Sequence, residues 1–326
     1  MINFEMFCYK QMMNIEIEVY NIIKLVKFAI KITLVGIEMF HIEGILRSVD
    51  GLDLYYQTWY PAEVPKAVIG ILHGLGSHSG WFSGIAEALV AQGYVVYGMD
   101  LRGHGRSPGQ RAYINHWSEF RADFAALHQL MIRQYPHLPC FALGHSLGAV
   151  ILLDAVLHGQ PLSGFILMAP SLNPTGVPAW RLALARLLSW VYPRFSLNTG
   201  ILEGAGSRDP AIIAAYRQDA LRHHKGTARL ATEFLRTIQW IKTNLQHLQT
   251  PVLILHGTLD VVTSPTKSRI LFEQLPLRNK QYCEYTAAYH DLHTDLDMPQ
   301  VISDVADWLD VQCQLDLKAC TATVRH

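Results

Sequence analysis

From His41 onward, short apolar runs alternate with longer stretches whose apolar positions recur at helical spacing, and glycine or proline marks most junctions. HIEGILRSV and LDLYYQTWY flank Asp50-Gly51, the dipeptide of a tight turn, and read as an opening hairpin. AVIGILHG is a buried strand, SGIAEALVAQG a helix stopped at Gly93, and YVVYGMD another buried strand. WSEFRADFAALHQLMIRQY sets Phe120, Phe124, Leu127 and Met131 on one helical face. CFALG then reads as a strand, AVILLDAVLHG as a helix and GFILMAPS as a strand, while PVLILHG and KQYCEYTAA are two more strands with helices after them. This alternation predicts an α/β fold, a mainly parallel central sheet with helices on both faces. Its core is expected over 41–171 and 250–313, with 314–326 as a C-terminal tail.

Over 172–249 the alternation stops. Turn chemistry in NPTGVP is followed by Trp180, Leu184, Leu187, Leu188 and Val191 at the spacing of one helical face. A helical insertion without strands is expected there, packed over one end of the sheet. Open α/β sheets bind ligands at the carboxyl ends of their strands, so the insertion reads as a cap, or lid, above a pocket. Trp180, Leu184, Leu187 and Leu188 would line that pocket or touch a membrane; a stripe of this kind also serves simply to pack a helix.

The first forty residues have a different composition, with four of the ten lysines, no arginine, proline, serine or aspartate, and many Ile, Met, Phe and Asn. NIIKLVKFAIKITLVGI fits a helix with Lys24, Lys27 and Lys31 on one face, which permits an interfacial anchor but, with lysines interrupting it, no membrane span. The alternative, and the favoured reading, is that 1–40 is an over-long start or a disordered extension. Lys plus Arg balances Asp plus Glu at 27 each, which removes the basic footprint of a nucleic-acid binder. Five cysteines lie scattered without metal-ligand or disulfide spacing, which suits a reducing, cytoplasmic compartment.

Against this background Gly144-His145-Ser146-Leu147-Gly148 stands out. A serine hydroxyl becomes a useful nucleophile when a rigid support aims it at a base, and a sharp strand-to-helix turn provides one, with glycine two residues before and after to relieve crowding. GHSLG lies between CFAL and AVILLDAVL, the context that pattern requires. The turn would also set the Leu147 N–H at a helix N-terminus, where it could hold an oxyanion, and Leu75, in the loop closing AVIGIL, is the candidate second donor. Asp260, just past PVLILHG, and His290, just past KQYCEYTAA, complete the order Ser, Asp, His. His293 is the fallback base, and Asp295 or Asp297 the fallback acid.

HGLGSHSG, MDLRGHGRSPG, LGHSLG, LILHGTLDVVTSP and YTAAYHDLH, in that order, resemble the monoacylglycerol lipase and lysophospholipase branch of the α/β-hydrolases over about 41–309. The resemblance implies Ser146 as nucleophile, Asp260 and His290 as its partners, Leu75 and Leu147 as oxyanion donors, and structural roles for Asp100 and the RGHG loop. Where the family typically has a glutamate and an arginine near the glycerol head group, this chain has Ser77 and Trp81; His293 matches a histidine near that group. The expected reaction is hydrolysis of a single-chain lipid ester, foremost monoacylglycerol, without metal or organic cofactor. A lysophospholipase or broad carboxylesterase is the alternative, and a non-catalytic ligand-binding member of the fold a more distant one.

Overall fold

A computed structural model describes residues 30–34, 37–172 and 179–323. Among the described residues the central sheet has nine strands: β1 (Ile30–Leu34), β2 (Ile37–Arg47), β3 (Asp53–Pro61), β4 (Ala67–Leu72), β5 (Tyr94–Met99), β6 (Cys140–His145), β7 (Gly164–Met168), β10 (Val252–Gly257) and β11 (Lys280–Tyr285). Two short strands, β8 (Ser196–Asn198) and β9 (Lys225–Thr227), pair separately. The sheet order is β1-β2-β3-β5-β4-β6-β7-β10-β11, antiparallel through the first three strands and the β3–β5 pair and parallel from there on.

The parallel strands β4, β5, β6, β7 and β10 are buried on both faces, as crossover helices require, while β11 forms the half-exposed edge. Along β4, Val68 and Leu72 enter one hydrophobic core while Ala67, Ile69 and Ile71 enter the other. Helices α2 (Ser118–Gln134) and α3 (Leu147–Leu157) cover the first face, with Phe120, Phe124, Leu127 and Met131 inward as their spacing predicts. On the second face lie α1 (Ser83–Ala91) and α8 (Met298–Thr323), through Ile85, Leu89, Val305 and Leu309.

Two expectations change. Among the described residues the sheet starts at Ile30 and not at His41: β1 pairs antiparallel with β2 in the register Ile30↔His41 to Leu34↔Ile37. The period-2 pattern Ile30, Ile32, Leu34 prevails over the helical reading of that stretch, while residues 1–29 of the extension lie outside the described residues. The insertion also contains the β8–β9 ribbon, and its helices differ in role. α4 (Ala179–Val191) and α5 (Pro210–Gln218) belong to the outer part, whereas α6 (Ala228–Asn244) packs on α3 and sends Leu230, Ile238 and Ile241 into the core.

Residues 206–223 are tied to the loops at the carboxyl ends of the strands. The Asp291 N–H donates to Gly206 O at 2.7 Å and the His223 N–H to Gly76 O at 3.0 Å. Arg208 pairs with Asp295 at 3.0 Å and Asp297 at 2.7 Å, and Asp219 bonds His78 Nε2 and the Trp81 indole N–H, both at 2.7 Å. The remaining helix, α7 (Pro265–Gln274), follows β10.

Candidate active site

Ser146 occupies the single residue between β6 and α3, at φ 54° and ψ −112°, a conformation unfavourable for a side-chain-bearing residue. Its neighbours explain how the turn fits. A Cβ on Gly144 would stand 2.5 Å from Gly148 O, and one on Gly148 would stand 2.2 Å from Leu72 O, so only glycine allows strand and helix to approach this closely. Leu147 begins α3, and its N–H therefore has no intrahelical partner. Leu75 lies in the loop after β4 and borders the same cavity as Ser146. That loop is held by His73, which accepts the Leu101 N–H on Nε2 at 2.9 Å and donates from Nδ1 to Gly74 O at 2.7 Å. Burial brings the His73 imidazole down to about 3, so it stays neutral and keeps this tautomer.

Asp260 follows β10 and His290 follows β11, and His290 Nδ1 donates to Asp260 Oδ2 at 2.7 Å. The Asp260 carboxylate is saturated. Oδ2 also receives Thr263 Oγ1 at 2.8 Å and His256 Nε2 at 3.0 Å, while Oδ1 accepts the N–H groups of Val262 at 2.7 Å and Thr263 at 2.9 Å. Burial alone would raise its pKa, but the two imidazoles override that and hold it well below the ordinary carboxylate range. Burial likewise opposes a charged His290, yet the Asp260 carboxylate outweighs it and His290 titrates above the usual histidine value. Such an imidazole, fixed with its proton on Nδ1, presents Nε2 as a base.

A cavity of about 70 Å³ brings together Ser146, His290, Leu75, Ser77, Arg222 and Asp291. Beside it an open groove of about 1050 Å³ runs between the cap and the loop after β10, lined by Ile201, Leu202, Leu259, Val261 and Tyr289 among others. Ile201 and Leu202 border both spaces.

Most of the residues singled out by sequence therefore converge: Ser146, Asp260, His290, Leu75 and Ser77 border one of the two spaces, and Leu147 starts the adjoining helix. The cap stripe does not. Trp180, Leu184, Leu187 and Leu188 line neither space, and the first three are exposed on the outer side of α4. His293 is buried behind the site, stacked on Phe82 with ring centroids 4.0 Å apart, and does not border the cavity. Trp81 is one layer back, its ring meeting Tyr216 edge-on at 4.3 Å. Asp295 and Asp297 hold Arg208, away from His290 Nδ1. Asp100 accepts Ser79 N–H and O–H and the Arg106 N–H, which fastens the RGHG loop.

Sequence reasoning passed over His256, Arg222 and Asp291. His256 carried a signal, four residues before Asp260 at the end of the same strand, whereas Arg222 comes from an insertion with no strand register to place it. His145, Asp291 and His293 bring ligand-type atoms within 4.8 Å of one another, the one such grouping among the described residues. The Arg222 guanidinium acts on the same cluster and opposes a cation there.

Comparison with known proteins agrees with this architecture. Residues 63–297 match the Hydrolase_4 family, described as serine aminopeptidase, S33. The chain is 30% identical over 270 residues to a monoacylglycerol lipase of Mycolicibacterium smegmatis, covering 82% of this chain and 96% of that one. It is 31% identical over 264 residues to the monoglyceride lipase of Rattus norvegicus, covering 80% and 86%. The crystal structure of Paleococcus ferrophilus monoacylglycerol lipase superposes with a TM-score of 0.72 at 28% identity, covering 79% of this chain and 99% of that one.

Proposed function

The chain belongs to the α/β-hydrolases, in their monoacylglycerol lipase and lysophospholipase branch, and is a carboxylic ester hydrolase; from that premise we propose that it cleaves monoacylglycerol to fatty acid and glycerol through an acyl-enzyme on Ser146. His290 Nε2 takes the Ser146 proton as Oγ attacks the ester carbonyl, and Asp260 holds the imidazole and stabilises its charged form. The N–H groups of Leu147 and Leu75 receive the oxyanion. His290 then protonates the departing alkoxide and activates the water that releases the acid. The observation that carries this reading is the 2.7 Å Asp260–His290 bond beside a serine on a glycine-flanked turn.

The small cavity is far below the several hundred Å³ of a lipid site, so the acyl chain is assigned to the adjoining groove, along Ile201, Leu202, Leu259 and Val261. No described helix is long and apolar enough to cross a membrane. The exposed apolar side chains of α4, Trp180, Leu184, Leu187 and Trp190, instead suit peripheral contact with the lipid surface that supplies substrate. Arg222 in the cavity favours a second reading, a phosphate-bearing lysophospholipid, which the Asp291 carboxylate bordering the same space opposes. A panel of monoolein, diolein and lysophosphatidylcholine in matched micelles, run with fluorophosphonate labelling, tests the assignment. Faster turnover of the lysophospholipid would replace it.

A further inference from the structure

Among the described residues Arg222 and Asp291 are the acidic and basic side chains that border the small cavity beside Ser146, and neither has its full complement of close hydrogen bonds. The Arg222 guanidinium has one hydrogen bond among the described residues, a long one of 3.4 Å from Nη1 to Ser77 Oγ. It is nonetheless fixed in place: it lies 3.8 Å from the centroid of the Tyr216 ring and 5.8 Å from that of Trp81, and those two rings are braced against each other. Asp291 is buried; its Oδ1 is 3.4 Å from His145 Nε2, and the one hydroxyl that reaches its carboxylate among the described residues, that of Tyr216, is shared with Thr294 Oγ1 at 2.7 Å. Asp260, one loop away, receives five. A buried carboxylate left this open is costly unless something else donates to it.

The cap backbone is shaped around that carboxylate. A Cβ on Gly206 would come 2.3 Å from Asp291 Oδ2 and push the carboxylate aside, while the Asp291 N–H donates to Gly206 O at 2.7 Å. Burial would raise the Asp291 carboxyl, but the surrounding imidazoles of His145, His293 and His290 together with Arg222 bring it down to about 2, so it is an acceptor at any working pH. Burial holds His145 and His293 low, the latter at about 4, so the permanent positive charge facing it is Arg222, joined by His290 when that imidazole is protonated.

We propose that Arg222 and Asp291 are a donor–acceptor pair that reads the polyol leaving group of the ester, Arg222 donating to one glycerol hydroxyl and Asp291 accepting from the other. This rests on the ester-hydrolase reading. The pair is net neutral, so it favours neither a cationic nor an anionic head group, and it offers both bonding senses that a hydroxyl needs. The cavity is of a size for a small alcohol, and the apolar groove beside it takes the chain. Of the two residues that the resemblance puts near the head group, Ser77 bonds Arg222 at 3.4 Å and Trp81 lies 5.8 Å from its guanidinium.

The test compares kcat/KM for 1-monodecanoylglycerol and ethyl decanoate in the unmodified enzyme, Arg222→Gln, Arg222→Lys and Asp291→Asn, with glycerol inhibition of ethyl decanoate hydrolysis as a second readout. The glycerol-to-ethyl ratio is expected to fall at least tenfold in Arg222→Gln and Asp291→Asn, and less in Arg222→Lys, with glycerol inhibition weakened to match. Arg222 is only partly buried, so its variants keep the test valid if Asp291→Asn does not fold. A ratio within twofold of the unmodified enzyme in Arg222→Gln, with ester turnover retained, overturns the pair alone. A head-group ratio in which decanoyl lysophosphatidic acid exceeds the glycerol ester and collapses in Arg222→Gln overturns it in favour of anion recognition. Failure of the unmodified enzyme to hydrolyse either ester or to take a fluorophosphonate label overturns the hydrolase reading and the pair together.

Discussion

Asp260→Asn probes both the chemistry and the packing of the site, because the carboxylate accepts five hydrogen bonds. An amide supplies one acceptor oxygen and one donor nitrogen, so some donors must meet a donor. If the oxygen takes the place of Oδ2, the new NH₂ faces the N–H groups of Val262 and Thr263, which cannot rotate away. If it takes the place of Oδ1, the NH₂ faces His290 Nδ1, and the imidazole relaxes by moving its proton to Nε2, where it can no longer act as a base. Two backbone donors left buried and unpaired cost roughly 2–6 kcal/mol at about 1–3 each, so the second arrangement prevails. The tautomer change costs about 10⁴ in kcat, or about 5.4 kcal/mol of transition-state stabilisation. The fold should survive with a lower Tm, and hydrolysis of p-nitrophenyl butyrate should fall by about four orders of magnitude. The acidic limb of the pH–rate profile should begin above about pH 6.5 in the unmodified enzyme, because Asp260 raises His290, and move to lower pH in the variant. A variant within tenfold of the parent in kcat, with the same acidic limb, would refute the reasoning.

Ser146→Ala should abolish fluorophosphonate labelling and lower kcat by several orders of magnitude while relieving the backbone little, since φ 54° is as unfavourable for alanine; labelling that persists assigns the nucleophile elsewhere. Gly148→Ala should prevent folding or drop the Tm steeply, read by calorimetry, because its Cβ would meet the backbone oxygens of Leu72 at 2.2 Å and His73 at 2.6 Å. The Asp260–His290 pair should stabilise the fold most between about pH 4 and 6.5. Asp260 lies below its ordinary value and loses its contribution as pH falls; His290 lies above its own and loses it as pH rises through the folded value. The Tm gap between parent and Asp260→Asn should therefore shrink toward either side of that window. Leu184→Ser with Leu187→Ser should lower turnover of monoolein presented in vesicles several-fold more than turnover of a soluble butyrate ester, and equal losses with a lowered Tm would make the stripe a packing surface.

The alternation of apolar runs located the parallel sheet because buried strands and crossover helices each leave a local period in the chain, as in AVIGIL and in the helix of Phe120, Phe124, Leu127 and Met131. Ser146, Asp260 and His290 were legible for a related reason: each sits at the end of such a strand, and the strand register fixes where it points. The cap had no such ruler. α6 looked like the rest of the insertion, yet its apolar face belongs to the core, and the α4 stripe, equally periodic, faces outward. Ile30–Leu34 carries both periods, and pairing with β2 decides between them. Arg222 is brought to Ser77 across 145 positions by cap geometry alone, so no local pattern could announce it.

The ties of residues 206–223 to the strand-end loops hold one wall of the small cavity in place. Two backbone hydrogen bonds, the Arg208 ion pairs and the shared Asp219 contacts would have to break together for that wall to lift, and each bond is worth about 0.5–1.5 kcal/mol net. Residues 179–202 are held elsewhere, to α6 and the loop after β5, through the N–H groups of Ala228 and Arg229 on Phe195 O and Pro193 O, the β8–β9 ribbon and the Arg194–Gln110 hydrogen bonds, and the open groove runs beside Ile201 and Leu202. On the proposed mechanism the chain lies in the open groove and the freed alcohol in the small cavity beside the acylated serine. Alcohol that lingers there would compete with water for the acyl group, so the proposal carries back-transfer to the alcohol, and hence ester exchange, as a side reaction whose extent measures how fast that cavity empties.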